Sequence, residues 1–197
     1  MNYKSPFIVK ENFLSPSLCE KIVNDVGFIP YTNGDEKCFD ERYEKIIFER
    51  FKPYLNDLNL HYNTTIKGLN KIQFEWIQTG NHIPIHCENS IYQENHWVVN
   101  KPYDFTCIIF LTDYCDESSL DVDYECYGGC LEFINHKFHF KPQRGNLIVF
   151  PSDARFCNAS SLVNIGNMYQ MRFHITTTTP YVYQPKNFPG DYTKWFR

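Results

Sequence analysis

From Lys71 to Ile175 the sequence reads as a succession of short strands with no helical period among them. The run KIQFEWIQ alternates Ile72, Phe74 and Trp76 with Lys71, Gln73 and Glu75, the period of a half-buried strand. YDFTCIIFLTDY and GNLIVFP follow as β-rich runs bounded by turn residues, with Gly128-Gly129, Gly145 and Gly166 where hairpins would reverse. Two helical segments precede them. In the first, Ser15 caps, Pro16 takes the first helical position, Gly27 supplies the stop, and Leu18, Ile22 and Val26 share a face. The second covers Asp40 to about Leu58, with Tyr43, Ile47, Phe51, Tyr54 and Leu58 inward and Pro53 bending it or ending it early. Helices followed by a long run of strands predict an α+β domain with the helices packed on one sheet face.

A chain of 197 residues is large enough for one continuous core. The net charge of −4 and the absence of a basic run argue against a nucleic-acid partner. No run is long and apolar enough for a membrane span, and MNYKSPFIVKENF lacks the apolar region of a signal peptide. The expected location is therefore cytoplasmic. The eight cysteines contain no Cys-x-x-Cys pair, Cys126 and Cys130 coming nearest, so reduced thiols are expected. Beyond Ile175, residues 176–197 (TTTTPYVYQPKNFPGDYTKWFR) carry three prolines together with Tyr181, Tyr183, Phe188, Tyr192, Trp195 and Phe196. Such a segment cannot form a core alone. It is an extended arm, either laid over its own domain or docked on a protein partner.

Five segments occur in a telling order: HCEN (His86 to Asn89), TCIIFLTDY (Thr106 to Tyr114), YGGCLEF (Tyr127 to Phe133), FKPQRGNLIVFPS (Phe140 to Ser152) and NIGNMYQMRF (Asn164 to Phe173). Together they resemble the iron(II)/2-oxoglutarate-dependent oxygenases, in the prolyl-4-hydroxylase-like branch. The resemblance implies a double-stranded β-helix, or jelly-roll, with the N-terminal helices on its major sheet. It implies one domain over residues 1–175, with a helical part at 14–60 and a barrel at 71–175.

Such oxygenases hold iron(II) with two imidazoles and a carboxylate on one face of an octahedron. His86 and Glu88 match the family's His-x-Asp/Glu pair, and residues two apart on a strand point the same way. The distal histidine is missing. Its place falls on Asn158 counting back from Gly166, or nearer Phe156 counting forward from Phe150, and no histidine lies between His139 and His174. His136, His139 and His174 read as ordinary polar strand residues.

The family arginine, which clamps the far carboxylate of 2-oxoglutarate, is replaced by Met168 in Gly166-Asn167-Met168-Tyr169. Arg172, on the same strand face but about 13 Å farther along, and Arg155, from a loop, are the candidate substitutes. Thr106 is the other residue assigned to the cosubstrate site. With a ligand and the anchor both missing, the resemblance implies a non-catalytic descendant. It would be a structural or binding component, a virion part if the chain is phage-encoded. The other reading is an active hydroxylase that uses iron(II) and 2-oxoglutarate on a peptide or protein side chain. The non-catalytic reading expects no ordered iron and a partly collapsed pocket, with Met168 and Phe156 occupying part of the cosubstrate volume and Glu88 hydrated or paired with a nearby donor such as His86.

Overall fold

Each helix is set by the residues at its ends. In the computed structural model, which describes residues 5–26, 40–116, 123–179 and 181, helix α1 spans Pro16–Val26. The Ser15 hydroxyl accepts the Leu18 N–H at 3.3 Å, the cap that serine offers a first turn. Cys19 and Ile22 are buried, and Leu18, Val23 and Val26 pack half-buried on the same core. The expected stop at Gly27 lies outside the described residues. Helix α2 (Glu41–Phe51) begins at Asp40, whose carboxylate accepts the Arg42 N–H at 2.9 Å. Pro53 divides the second helical segment: a 3₁₀ turn over Lys52–Tyr54 separates α2 from α3 (Leu55–Tyr62). Proline has no N–H to give, and its ring clashes with the preceding helical turn.

Strands β1 (Ile8–Lys10), β2 (Ile66–Leu69), β3 (Gln73–Gln78), β4 (Ser90–Gln93), β5 (His96–Val99), β6 (Phe105–Phe110), β7 (Asp113–Tyr114), β8 (Glu125–Gly128), β9 (Leu131–Phe133), β10 (Phe138–Phe140), β11 (Leu147–Pro151), β12 (Ala159–Ser160) and β13 (Val163–Thr177) complete the chain. The large sheet runs β1-β11-β6-β13-β8-β7, with β2 and β3 also paired to β13. A smaller sheet is ordered β10-β9-β12, and β4 pairs with β5. Among these strands every pairing is antiparallel except the short β7–β8 contact. This is the curled α+β jelly-roll core that the sequence predicts. The rings of Phe133 and Phe150, 4.7 Å apart at 78°, join the small sheet to the large one.

The helices lie on the large sheet. Phe173 of β13 meets Phe51 edge-on at 5.2 Å and Phe48 at 5.8 Å, and Tyr62 meets Phe105 at 4.2 Å. Alternation then decides what faces the interior. Register pairs Met171, Phe173 and Ile175 with Ile109, Cys107 and Phe105 on the helix side, and Gln170, Arg172 and His174 with Phe110, Ile108 and Thr106 on the other. Strand β3 follows suit, with Phe74 opposite Met171 and Glu75 opposite Gln170. Glu75 is therefore buried rather than solvent-facing, because the second face of β3 closes the barrel interior.

Gly166 does not reverse a hairpin. It sits inside β13 with φ +84°, as the last residue of the stretch that pairs with β8, directly before the stretch that pairs with β3. A Cβ there would lie 2.3 Å from the Glu125 carbonyl oxygen, so the close crossing needs glycine. Of the arm expected at 176–197, residues 176–179 and 181 are described. Thr176 and Thr177 belong to β13, and the Tyr181 N–H donates to Asp104 at 2.7 Å while its ring lies 4.8 Å from that of Phe105. Residues 180 and 182–197 lie outside the described part.

Candidate functional site

Three segments distant in sequence meet inside the barrel. His86 and Glu88 enter on the stretch before β4, which is tied to the stretch before β12 by one antiparallel bridge between His86 and Asn158. Both backbone bonds of that bridge, His86 N–H to Asn158 O and Asn158 N–H to His86 O, measure 2.9 Å. The inner face of β13 supplies Arg172 and His174.

Glu88 is the hub. Its Oε1 accepts from Arg172 Nη1 at 2.7 Å and from Asn158 Nδ2 at 3.3 Å, and its Oε2 contacts His174 Nε2 at 3.1 Å. Arg172 Nη1 also lies 2.9 Å from His86 Nε2. Deeper in, Arg172 Nη2 faces Glu75 at 3.5 Å, and Gln170 Nε2 donates to the same Glu75 oxygen. Glu75, Glu88, Asn158, Gln170, Arg172 and His174 are all buried.

The hydrogen bonds fix the imidazole tautomers. The backbone N–H of His174 donates to Asn70 Oδ1, which turns the amide Nδ2 of Asn70 toward His174 Nδ1 at 3.1 Å. Since the amide donates, Nδ1 accepts, and the ring proton sits on Nε2, aimed at Glu88. The His174 ring is further held by stacking on Tyr103, with centroids 4.1 Å apart at 10°. His86 has the opposite tautomer. Its Nδ1 lies 2.9 Å from the Pro84 carbonyl, which can only accept, so Nδ1 carries the proton. The Nε2 lone pair then takes a proton of Arg172 Nη1, whose second proton serves Glu88. Along the 3.1 Å approach of His86 Nε2 to Glu88 Oε1, two acceptors face each other while His86 is neutral.

Burial by itself would push the Glu88 carboxyl up. The Arg172 charge and the hydrogen bond from His174 outweigh that cost and hold it well below the usual carboxylate range. A buried carboxylate without such partners would cost several kcal/mol or take up a proton.

These residues do not fit an iron(II) ion. His86 and Glu88 are two donors, and Asn158 adds only a neutral amide whose buried Oδ1 has no hydrogen-bond partner. By composition His86, Glu88 and His174 make two imidazoles and a carboxylate. However, His86 and His174 stand at different oxygens of Glu88, and the guanidinium occupies the space between His86 and Glu88. Among the described residues no group of three or more His, Cys, Asp or Glu side chains is arranged to hold a metal.

The structure brings together His86, Glu88, Asn158 and Arg172, and it adds His174, which the sequence reading set aside as an ordinary polar residue. Arg172 is not placed as a cosubstrate clamp, because its guanidinium is engaged by Glu88, His86 and Glu75. Arg155 is turned to Asp153, with Nε and Nη2 each 2.7 Å from that carboxylate. Thr106 is buried and bonded to the Ser152 hydroxyl at 2.7 Å. Met168 is buried with Ile77, Ile83, Cys126 and Val163, its sulfur near Gly129. Phe156 packs on Phe7 and His136, its ring 4.6 Å from the His136 ring. His174, Gln170 and Glu75 each carried one signal in the sequence: a polar residue at every second position of strands whose other positions are apolar.

No protein-family model matches the sequence, and no curated protein matches it. Solved structures do match the fold. A viral collagen prolyl hydroxylase from Paramecium bursaria Chlorella virus-1, in its 2OG complex, superposes with a TM-score of 0.65 at 16% identity, covering 89% of this chain and 97% of that one. A Pseudomonas putida prolyl-4-hydroxylase gives 0.59 at 12% identity, covering 87% and 88%. A Trichoplax adhaerens prolyl hydroxylase, in complex with a hypoxia inducible factor peptide fragment, gives 0.56 at 17% identity, covering 87% and 83%. The chain thus has the prolyl-4-hydroxylase-like oxygenase fold.

Proposed function

We propose that this chain is a non-catalytic relative of the oxygenases whose fold it has, with the Arg172 guanidinium standing where the family's metal would be, and that it acts as a structural or binding component. One observation carries the reading. Arg172 Nη1, at 2.7 Å from Glu88 Oε1 and 2.9 Å from His86 Nε2, takes up the carboxylate charge and the imidazole lone pair that an iron(II) ion would need. A fixed cation covalently attached to the fold competes with any dissolved cation for the same two side chains. The cosubstrate side agrees with this, since Met168 has no charge to clamp a carboxylate and Arg155 is turned to Asp153.

A partner surface fits the same reading. The β4–β5 hairpin exposes Ile91, Tyr92, Trp97 and Val99, and the sequence of the arm beyond Tyr181 is rich in aromatics and proline. These are the features of a protein-binding element, within a virion if the chain is virus-encoded.

Anaerobic titration with iron(II), with and without 2-oxoglutarate, tests the reading. The expected result is no visible charge-transfer band with the natural chain, while Arg172→Ala gains measurable iron affinity through the freed His86 and Glu88. A band with the natural chain, together with succinate formation abolished by His86→Ala, overturns it and supports a working hydroxylase.

A further inference from the structure

The bridge that brings His86 to Asn158 also sets two cysteines face to face, and the ionic cluster uses neither. His86 and Asn158 exchange both of their backbone hydrogen bonds. Their antiparallel neighbours, Cys87 and Cys157, therefore oppose each other at the non-hydrogen-bonded position, where side chains stand closest. Opposed residues of that kind have Cα atoms about 4.5 Å apart, within the span of about 4.4–6.8 Å that a disulfide bridges. Cys87 Sγ is 3.3 Å from the Ser152 carbonyl oxygen and Cys157 Sγ is 3.0 Å from that of Ala154. Both are free thiols, Cys87 partly exposed and Cys157 buried.

We propose that Cys87 and Cys157 form a reversible cross-strand redox pair, oxidised by a small-molecule disulfide such as oxidised glutathione. The accessible Cys87 sulfur, giving up its proton, attacks one sulfur of the reagent and breaks its S–S bond. The first glutathione leaves with that proton as a thiol, and Cys87 holds the second as a mixed disulfide. Cys157 then gives up its proton and attacks the Cys87 sulfur, and the second glutathione leaves as a thiol. Two protein thiols are oxidised and one small disulfide is reduced to two thiols. The new bond locks the stretch carrying His86 and Glu88 to the stretch carrying Asn158, so the walls of the ionic cluster cannot part. This inference holds whether or not the site binds a metal.

The test treats the folded full-length chain with oxidised glutathione, then combines intact mass, thiol counting and peptide mapping. The expected result is loss of two thiols with no glutathione retained, a linked peptide pair joining Cys87 to Cys157, and a higher melting temperature that dithiothreitol reverses. Cys157→Ser is expected to retain one glutathione on Cys87. If that variant does not fold, the peptide map of the natural chain decides alone. A stable glutathione adduct on natural Cys87 without the link, a disulfide among Cys115, Cys126 and Cys130 instead, or no reaction at Cys87 would overturn the proposal.

Discussion

Strand β13 presents two buried faces made from alternate residues of one segment, and they are held by different physics. On the helix side Met171, Phe173 and Ile175 pack against α2 and the neighbouring strands, with Phe173 fully buried and ringed by Phe48 and Phe51. On the inner side Gln170, Arg172 and His174 are almost as buried, yet every one is polar and engaged by a carboxylate. The apolar face gains stability from area removed from water, in increments that vary with side-chain size. The polar face gains little from burial. Its stability rests on complete pairing, so losing one member strands the others without compensation.

The largest expected effect breaks the polar face. Arg172→Ala is expected to cost about 3–5 kcal/mol in urea unfolding, because it leaves Glu88 and Glu75 buried without their cation. Phe173→Ala on the opposite face is expected to cost about 3–5 kcal/mol as well, through lost transfer energy and a cavity. A double-mutant cycle separates the two. Adding Glu88→Gln to Arg172→Ala is expected to recover part of the loss, whereas adding it to Phe173→Ala gives simple additivity. Additivity in both pairs would mean that the ionic pairing does not hold the inner face.

Acid sharpens the same contrast. The folded-state carboxyl of Glu88 is held below its ordinary value, so its stabilisation is fully present above the unfolded value of about 4.3. It is lost as pH falls from there through the folded value. Urea midpoints measured from neutral pH down to about pH 3 should therefore drop more steeply for the natural chain and for Phe173→Ala than for Glu88→Gln. Equal slopes in all three would show that Glu88 does not couple folding to protons.

The smallest expected effect concerns Asn158. Its hydrogen bond to Glu88 is long at 3.3 Å, and its buried Oδ1 has no partner. Asn158→Ala removes a weak bond and an uncompensated oxygen together, so the loss is expected to stay below about 1 kcal/mol. A loss as large as that of Arg172→Ala would make Asn158 a main support of the cluster.

Much of the architecture was legible because it is written in local periods. The cap at Ser15, the break at Pro53 and the alternation in β3 depend on residues close in sequence, and the order of strand motifs led to the jelly-roll. The candidate site was legible in part. Strand parity and motif spacing pointed to His86, Glu88 and Asn158, and the loss of charge at Met168 was plain. The same alternation held the inner-face residues Glu75, Gln170 and His174, but a sheet with one wet face gives an identical pattern. Only the second sheet and the HCEN stretch, closing over that face, distinguish a buried polar row from an exposed one.

The sequence by itself determined which face of β13 each residue occupies, since the two-residue period of a strand is a property of the backbone. It also determined that no imidazole stands at position 158 and no guanidinium at position 168. What Arg172 does was decided only by the tertiary structure. Its partners Glu88 and His86 lie 84 and 86 residues away in sequence. Electrostatic contact between such groups depends on distances set by barrel closure and on the water excluded there, and no local pattern encodes either quantity.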